Sequence, residues 1–192
     1  MMLTDYTSSV FCYAKSTFSR WRRLFLEKTF TNYKIRAIIH MRRTVSPLII
    51  KPYQEKYKDG LLSMVWQAKE ALGRVPTINP DLFDVVANYF NKGTMFWVAV
   101  DDADMVIGCI GYSLTDCSGK AFLHRLYVMP SEKRKGIGTA LLKTAEEEMK
   151  RKGIFTALVH LGEPREQWFE SYNFYPKHGY EEYAPRYMRK KL

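Results

Sequence analysis

Apolar positions along this chain switch between a helical period and short continuous runs, and each switch marks a candidate element. Tyr57, Leu61, Met64, Val65, Ala68 and Leu72 recur at helical spacing, and Gly73 follows as a stop. Asn79-Pro80 then offers an N-cap with proline at the first helical position. Leu82, Val85, Val86, Tyr89 and Phe90 form the stripe of a second helix, closed by Gly93. "TMFWVAV" and "MVIGCIGYSL" read as strands joined by the polar turn "DDAD", and the turn "DCSGK" leads into a third, "AFLHRLYVM". After a basic, glycine-bearing stretch, Ile137, Ala140, Leu141, Ala145 and Met149 line a helix that Gly153 ends. "IFTALVH" is another strand, "REQWFESYNFY" another helix, and "GYEEYAPRYMRKKL" a final hairpin or strand pair. Upstream, "SPLIIKPY" reads as a short first strand with Pro47 at its edge. The order is β-α-α-β-β-β-α-β-α-β-β. Consecutive hairpin strands followed by a β-α-β crossover predict a mixed α/β fold, one mixed sheet with helices on its faces.

The periodic pattern begins near Ser46, and what precedes it differs in charge. The chain has 192 residues and a formal net charge of +10. Residues 1–43 hold nine Lys/Arg against two Asp/Glu, so most of the excess lies there. We therefore divide the chain into a basic N-terminal extension, 1–45, and a domain, 46–192. "FSRWRRLFLEKTF" places Phe18, Trp21 and Phe25 where one helical face would hold them. That segment reads as an accessory helix, a membrane-surface or targeting segment, or residues upstream of a start at Met41. Cations mixed with aromatics without a groove-reading module do not predict nucleic-acid binding. No apolar run reaches the roughly 18–20 residues that span a bilayer. Three cysteines, Cys12, Cys109 and Cys117, form no C-x-x-C pair. Neither a disulfide framework nor a metal cage is suggested, and a cytoplasmic location is expected. No His, Cys, Asp and Glu grouping has metal-site spacing.

The candidate chemistry sits in "PSEKRKGIGTALLKTAEEEMKRKG", Pro130 to Gly153. Glu146, Glu147 and Glu148 each have a cation four residues on, Lys150, Arg151 and Lys152, which supports a helix. That does not account for Gly136 and Gly138. Glycine inside a helix sacrifices on the order of 1 kcal/mol against alanine. In return it permits close approach of a ligand to several N–H groups. The helix N-terminus and the cations Lys133, Arg134 and Lys135 add positive potential, an arrangement suited to a pyrophosphate. A P-loop would need Lys-Ser/Thr after the second glycine, where Thr139-Ala140 stand. A dinucleotide fingerprint would need a third glycine, where Leu141 stands.

What remains resembles the R/Q-x-x-G-x-G/A signature of the GNAT superfamily of acyl-CoA-dependent N-acyltransferases. Lys133 replaces the usual Arg or Gln and keeps hydrogen-bond donors. "LYVMP" before the loop and "FYPKHGY" after it are similar to family segments in the same order. The resemblance runs from about Ser46 to Leu192. It implies a GNAT-like, mostly antiparallel sheet with a splayed parallel strand pair and helices on both faces. It also implies acetyl-CoA as cofactor, without a metal. The pantetheine arm would pair with the backbone near Leu126, Tyr127 and Val128. The pyrophosphate would meet Lys133, Arg134, Lys135, Gly136, Ile137, Gly138 and Thr139. The reaction implied is transfer of an acetyl group to a primary amine by direct attack in a ternary complex.

The resemblance also assigns roles. Tyr175, four residues before Gly179, stands where the family places its general acid, with Tyr172 as fallback. Pro176 is a departure that disfavours helical geometry at Tyr175. Trp168 occupies a position where many members carry a cofactor-contacting asparagine. His124 on the cofactor strand is the candidate base, and alternation places it on one face with Phe122, Leu126 and Val128. Glu163 and Glu166 are the other options for that role. His160 and His178 read as strand-end and turn residues. The acceptor is a small-molecule amine or a peptide or protein amine. Oligomeric state is open, a homodimer being one option. The competing reading is a non-catalytic CoA-binding sensor or interaction module.

Overall fold

The computed structural model describes residues 48–73 and 75–192. The basic N-terminal extension, its three readings and the first-strand edge at Pro47 lie outside the described residues.

Seven strands form one sheet in the order β1-β2-β3-β4-β5-β7-β6. They are β1 (Ile49–Pro52), β2 (Phe96–Val100), β3 (Val106–Leu114), β4 (Lys120–Val128), β5 (Thr156–His160), β6 (Glu181–Ala184) and β7 (Tyr187–Lys191). Every neighbouring pair is antiparallel except β4–β5. The α-helices are α1 (Lys58–Glu70), α2 (Val85–Asn88), α3 (Ile137–Arg151) and α4 (Phe169–Phe174). The expected mixed, mostly antiparallel sheet with one parallel pair is present. Pro52 is accommodated because β1 is an edge strand.

Strand alternation divides the core in two. On one face Trp97, Ala99, Ile110, Ala121, Leu123, Ala157, Val159 and Met188 pack with α3 residues and with Tyr172 and Tyr175. On the other, Phe96, Val98, Val100, Val106 and Cys109 pack with Leu61, Met64, Val65 and Ala68 of α1 and with Leu82, Val85 and Tyr89. The α3 stripe contains Leu142, fully buried, where the sequence suggested Ala140. A Cβ on Gly108 would lie 3.0 Å from Leu141 and 3.2 Å from Ile137, so that glycine lets the start of α3 sit hard against β3.

Three local expectations are corrected. The second predicted helix is broken into a 3-10 turn (Pro80–Phe83), the single turn α2 and a second 3-10 turn (Phe90–Lys92). The break is at Asp84, whose φ of −144° and ψ of 82° leave the helical region. Its carboxylate, not Asn79, is the cap, accepting from the Ala87 N–H at 2.9 Å. The "REQWFESYNFY" helix likewise begins as a 3-10 turn and becomes α-helical only at Phe169. The glutamates of α3 ignore the cations four residues on. Glu146 accepts from Tyr180 at 2.8 Å and from Lys190 at 2.7 Å, Glu148 meets Arg151, and Glu147 meets Lys143. At Glu146, long-range partners on the loop after α4 and on β7 outcompete an exposed helix pair worth only ~0.2–0.5 kcal/mol, while Glu147 and Glu148 pair within the helix at other spacings.

Candidate active site

β4 and β5 pair at only three positions, Lys120–Thr156, Ala121–Ala157 and Phe122–Leu158. Beyond these, β4 runs on to Val128 and β5 to His160 without pairing to each other. The parallel strands therefore splay, and the free edge of β4 carries backbone groups able to bond an extended ligand.

That edge is also bent. Cys109 is opposite Tyr127 but Gly111 is opposite His124, so Arg125 and Leu126 together oppose Ile110. The extra residue is a β-bulge, and Arg125 takes a φ of +58° to make it. The bulge overturns the expected alternation. His124 shares a face with Phe122, whereas Leu126 and Val128 pack on the opposite, α3-side cluster. Tyr127 turns toward the α1 side.

The loop from β4 to α3 is built to leave donors open. Arg134 and Gly136 take φ of +63° and +82°. The next backbone bond inside the helix runs from Ala140 N–H to Gly136 C=O, at 2.9 Å. Among the described residues, the six consecutive N–H groups from Arg134 to Thr139 donate to no protein acceptor. Gly136 has nothing within 4 Å of its missing Cβ. At Gly138 a Cβ would meet only Phe174 at 3.5 Å and Val128 at 3.7 Å, ordinary contact distances. Neither glycine is required by packing against protein. Gly136 is required by its left-handed φ, and Gly138 keeps the approach to the helix N-terminus bare.

The cations around this loop are partly engaged. Lys133 Nζ donates to both Glu170 oxygens at 2.8 and 2.7 Å, and Lys135 Nζ to Glu132 at 2.7 Å. Arg134 is exposed. Thr139 Oγ1 and His178 Nε2 lie 3.3 Å apart, so the loop is tied to the far side of the opening at two points.

Tyr175 stands 7% exposed at the C-terminal end of α4, with φ −62° and ψ −40°. The residue before Pro176 is thus helical, contrary to the expected bias. Pro176 itself opens a 3-10 turn that needs no N–H from it. The Tyr175 ring meets Phe174 and Tyr180 edge-on at 5.4 and 5.2 Å. Its hydroxyl has no hydrogen-bond partner, and no fully buried side-chain oxygen among the described residues is unpartnered, so the oxygen keeps a small solvent-accessible surface. Burial, with the nearby Tyr127 phenol, raises its pKa, and it holds its proton at neutral pH. The fallback, Tyr172, is buried beneath the Arg165 guanidinium, 4.5 Å from the ring.

His124 Nε2 lies 2.7 Å from Ser113 Oγ on β3. Burial, then the Arg125 charge, lowers the imidazole pKa to about 4, so it is neutral near pH 7. With Nε2–H donated to Ser113, the other ring nitrogen keeps a lone pair. Glu163 is instead paired with Arg186 at 3.0 Å, and Glu166 is exposed.

Beside His124 opens a pocket of about 410 Å³, lined by Pro80, Asp81, Asn88, Tyr89, Lys92, Ser113, His124 and Arg125. Sequence reasoning missed its organising group. Arg125 Nε and a terminal nitrogen hold Asp81 at 2.8–3.1 Å, and Tyr89 OH donates to the same carboxylate at 2.5 Å. The available signal was an acidic residue directly after the Asn79-Pro80 turn. Among the described residues no group of His, Cys, Asp and Glu could hold a metal, and no helix is long and apolar enough to cross a membrane.

Splayed strands, a bulged edge and a bare helix N-terminus define a fold that can be compared with known proteins. The model of the acetyltransferase (GNAT) family matches residues 61–180.

This chain belongs to the GNAT family.

GNAT structures sharing its fold include an acetyltransferase from Staphylococcus aureus MU50, with TM-score 0.68, 21% identity, and coverage of 76% of this chain and 99% of that one. Another is a PaiA N-acetyltransferase from Thermoplasma acidophilum, solved with coenzyme A, with TM-score 0.60, 23% identity, and coverage of 77% and 100%. A curated relative is probable N-acetyltransferase 14 of Xenopus tropicalis, 36% identical over 91 residues. The matched stretch is 47% of this chain and 39% of that protein, so this chain spans well under half the length of that relative.

Proposed function

We propose that this GNAT protein transfers an acetyl group from acetyl-CoA to a primary amine by direct attack in a ternary complex. The observation that carries the reading is the row of six unengaged amides from Arg134 to Thr139 at the start of α3, beside the unpaired edge of β4. Acetyl-CoA supplies an activated acyl thioester. The residues present fit it: the amides of Arg134 to Thr139 and the ammonium of Lys133 bind pyrophosphate oxygens, and the Leu126–Val128 backbone pairs with the pantetheine amides. That the Thermoplasma relative was solved with coenzyme A supports the assignment.

The remaining tasks fall to groups on the two sides of the splay. The opening beside His124 admits the acceptor's amino group, and positioning it against the thioester removes much of the entropic barrier. His124, neutral and aligned by Ser113, accepts the proton that leaves the attacking nitrogen. As the new C–N bond forms and the C–S bond breaks, Tyr175 gives its proton to the departing sulfur. A cytoplasmic site of action fits the free thiols Cys109 and Cys117.

Isothermal titration with acetyl-CoA and a thiol-release assay across an amine panel test the reading together. We expect cofactor binding, turnover with at least one amine class, and a Tyr175→Phe variant that loses ~10²-fold or more in kcat at unchanged cofactor affinity. Cofactor binding without thiol release for any amine would point to a CoA-binding module instead. Failure to bind acetyl-CoA would overturn the site.

A further inference from the structure

The helix-bearing faces of the sheet are not equally covered. The buried cluster under α1 draws strand residues from β2 and β3, with Tyr127 of β4 packed against it, but, among the described residues, none from β5, β6 or β7. On that side β5 and β7 present the residues that alternate with the buried Ala157, Val159 and Met188. These include the buried Leu158 with Arg189 opposite it, and His160 with Tyr187 opposite it, and they continue onto Phe122 and His124 of β4.

Register places these groups around the splay. Phe122–Leu158 is the last β4–β5 pair, so His124 and His160, each two residues further on, flank the opening on one face. Their rings are linked: Phe122 lies 6.2 Å from His124 and 6.4 Å from Tyr187, and His160 stacks on Tyr187 at 4.3 Å and 6°. Tyr183 extends the row, 6.1 Å from Tyr187. His160 and Tyr183 are exposed, and Phe122 and Tyr187 half-buried.

Charge restricts what this wall can hold. The adjoining pocket contains one carboxylate, Asp81, which Arg125 and Tyr89 already occupy, and it contains the cation Lys92. On the β5–β7 side, Glu163 is paired with Arg186, and Arg189 lies over Tyr183 at 5.4 Å. A second ammonium would meet Lys92 and Arg189, with the exposed Glu181 opposite Arg189 as the nearby carboxylate, and so gains no net attraction there. A planar apolar group would find rings in stacking and edge-on geometry.

We propose that the acceptor is a monoamine whose amino group sits on a short chain attached to an aromatic ring, the ring resting on Phe122, His160 and Tyr187; this rests on the acetyltransfer reading above. The ring packs on the wall while the short chain carries the nitrogen past His124 to the splay. Polyamines and lysine-rich segments are the poorer acceptors.

The experiment compares 2-phenylethylamine, 2-cyclohexylethylamine, hexylamine and spermidine with the full-length protein. Two readouts run in parallel: kcat/KM for thiol release, and saturation-transfer NMR of each amine with the protein alone. We expect phenylethylamine to exceed cyclohexylethylamine and hexylamine by roughly 3- to 10-fold, the range of one ring–ring contact, and spermidine to rank last. Tyr187→Leu and His160→Leu should bring the phenylethylamine-to-hexylamine ratio toward one, and Tyr187→Phe should keep it. Equal use of the cyclohexyl and phenyl amines, a lead for spermidine, or a ratio unmoved by Tyr187→Leu overturns the proposal. If acetyl-CoA does not bind, the transferase reading fails by itself, and the NMR ranking still decides whether the wall selects aromatic amines. Absence of amine binding there overturns the wall.

Discussion

Arg125 and Asp81, 44 residues apart in sequence, form a forked ion pair in which Nε reaches both carboxylate oxygens and a terminal nitrogen reaches one of them at 2.8 Å. Arg125 is the residue that creates the bulge in β4, and Asp81 belongs to the turn that walls the pocket. One interaction therefore ties the wall of the pocket beside His124 to the bent strand β4.

Breaking that tie should cost both stability and turnover. Both side chains are about three-quarters covered, so removal of one leaves the other poorly solvated. We expect Asp81→Asn and Arg125→Ala to lose about 1–3 kcal/mol in urea unfolding and to lower kcat more than the KM for acetyl-CoA. Burial alone would raise the Asp81 pKa, but hydrogen bonds from Arg125 and Tyr89 outweigh it and leave it lowered. The pair's stabilisation is thus present above the unfolded carboxyl pKa of about 3.8 and is lost as pH falls through the lower folded value. Equal melting temperatures for wild type and Asp81→Asn near neutral pH would contradict the assignment.

Gly138 separates folding from binding. A methyl there meets Phe174 and Val128 only at ordinary contact distances, and alanine favours a helix. Gly138→Ala should therefore hold or raise the melting temperature and, since the signature admits alanine here, leave acetyl-CoA affinity nearly unchanged, whereas in Gly138→Val the affinity, read by titration calorimetry, should fall about tenfold or more, one lost contact of ~1.4 kcal/mol; the valine variant decides. Unchanged affinity in that variant would remove the helix N-terminus from the binding site.

Glu170 competes with any anion for Lys133. In Glu170→Gln the ammonium is released from a carboxylate held at 2.7 Å. We expect CoA to bind about 2- to 5-fold more tightly at low salt, with the gain shrinking as ionic strength rises. Weaker binding in this variant would mean that Glu170 organises the loop rather than opposing the ligand.

His124 leaves a signature in stability against pH. Its folded pKa, about 4 because of burial and then the Arg125 charge, lies below the unfolded value near 6.5. The unfolded chain binds the proton first, so stability is full above about pH 6.5 and declines as pH falls toward 4. The difference is on the order of 3 kcal/mol. His124→Asn, which can keep a bond to Ser113, should flatten the melting-temperature slope in that window; His160, also lowered, keeps a smaller part of it. An unaltered slope would place the imidazole in water.

Much of this molecule follows from short-range pattern. Helical spacing from Tyr57 to Leu72, short apolar runs between polar turns in β2 to β5, and glycines at 73, 93 and 153, each of which takes a positive φ, mark elements through interactions within a few residues. The basic loop with Gly136 and Gly138 was legible for the same reason, because a bare helix start is a local device. The chain alone also ordered strands and helices closely enough to show the family resemblance. Register and bulges belong to the folded sheet. One extra residue at Arg125 reversed the facing of everything after it, so His124 parted from Leu126 and Val128. Asp81 with Arg125, Glu146 with Tyr180 and Lys190, and His160 with Tyr187 meet across 27 to 44 residues. Those partners are chosen by which surfaces the sheet brings together, and no periodicity along the chain encodes that choice.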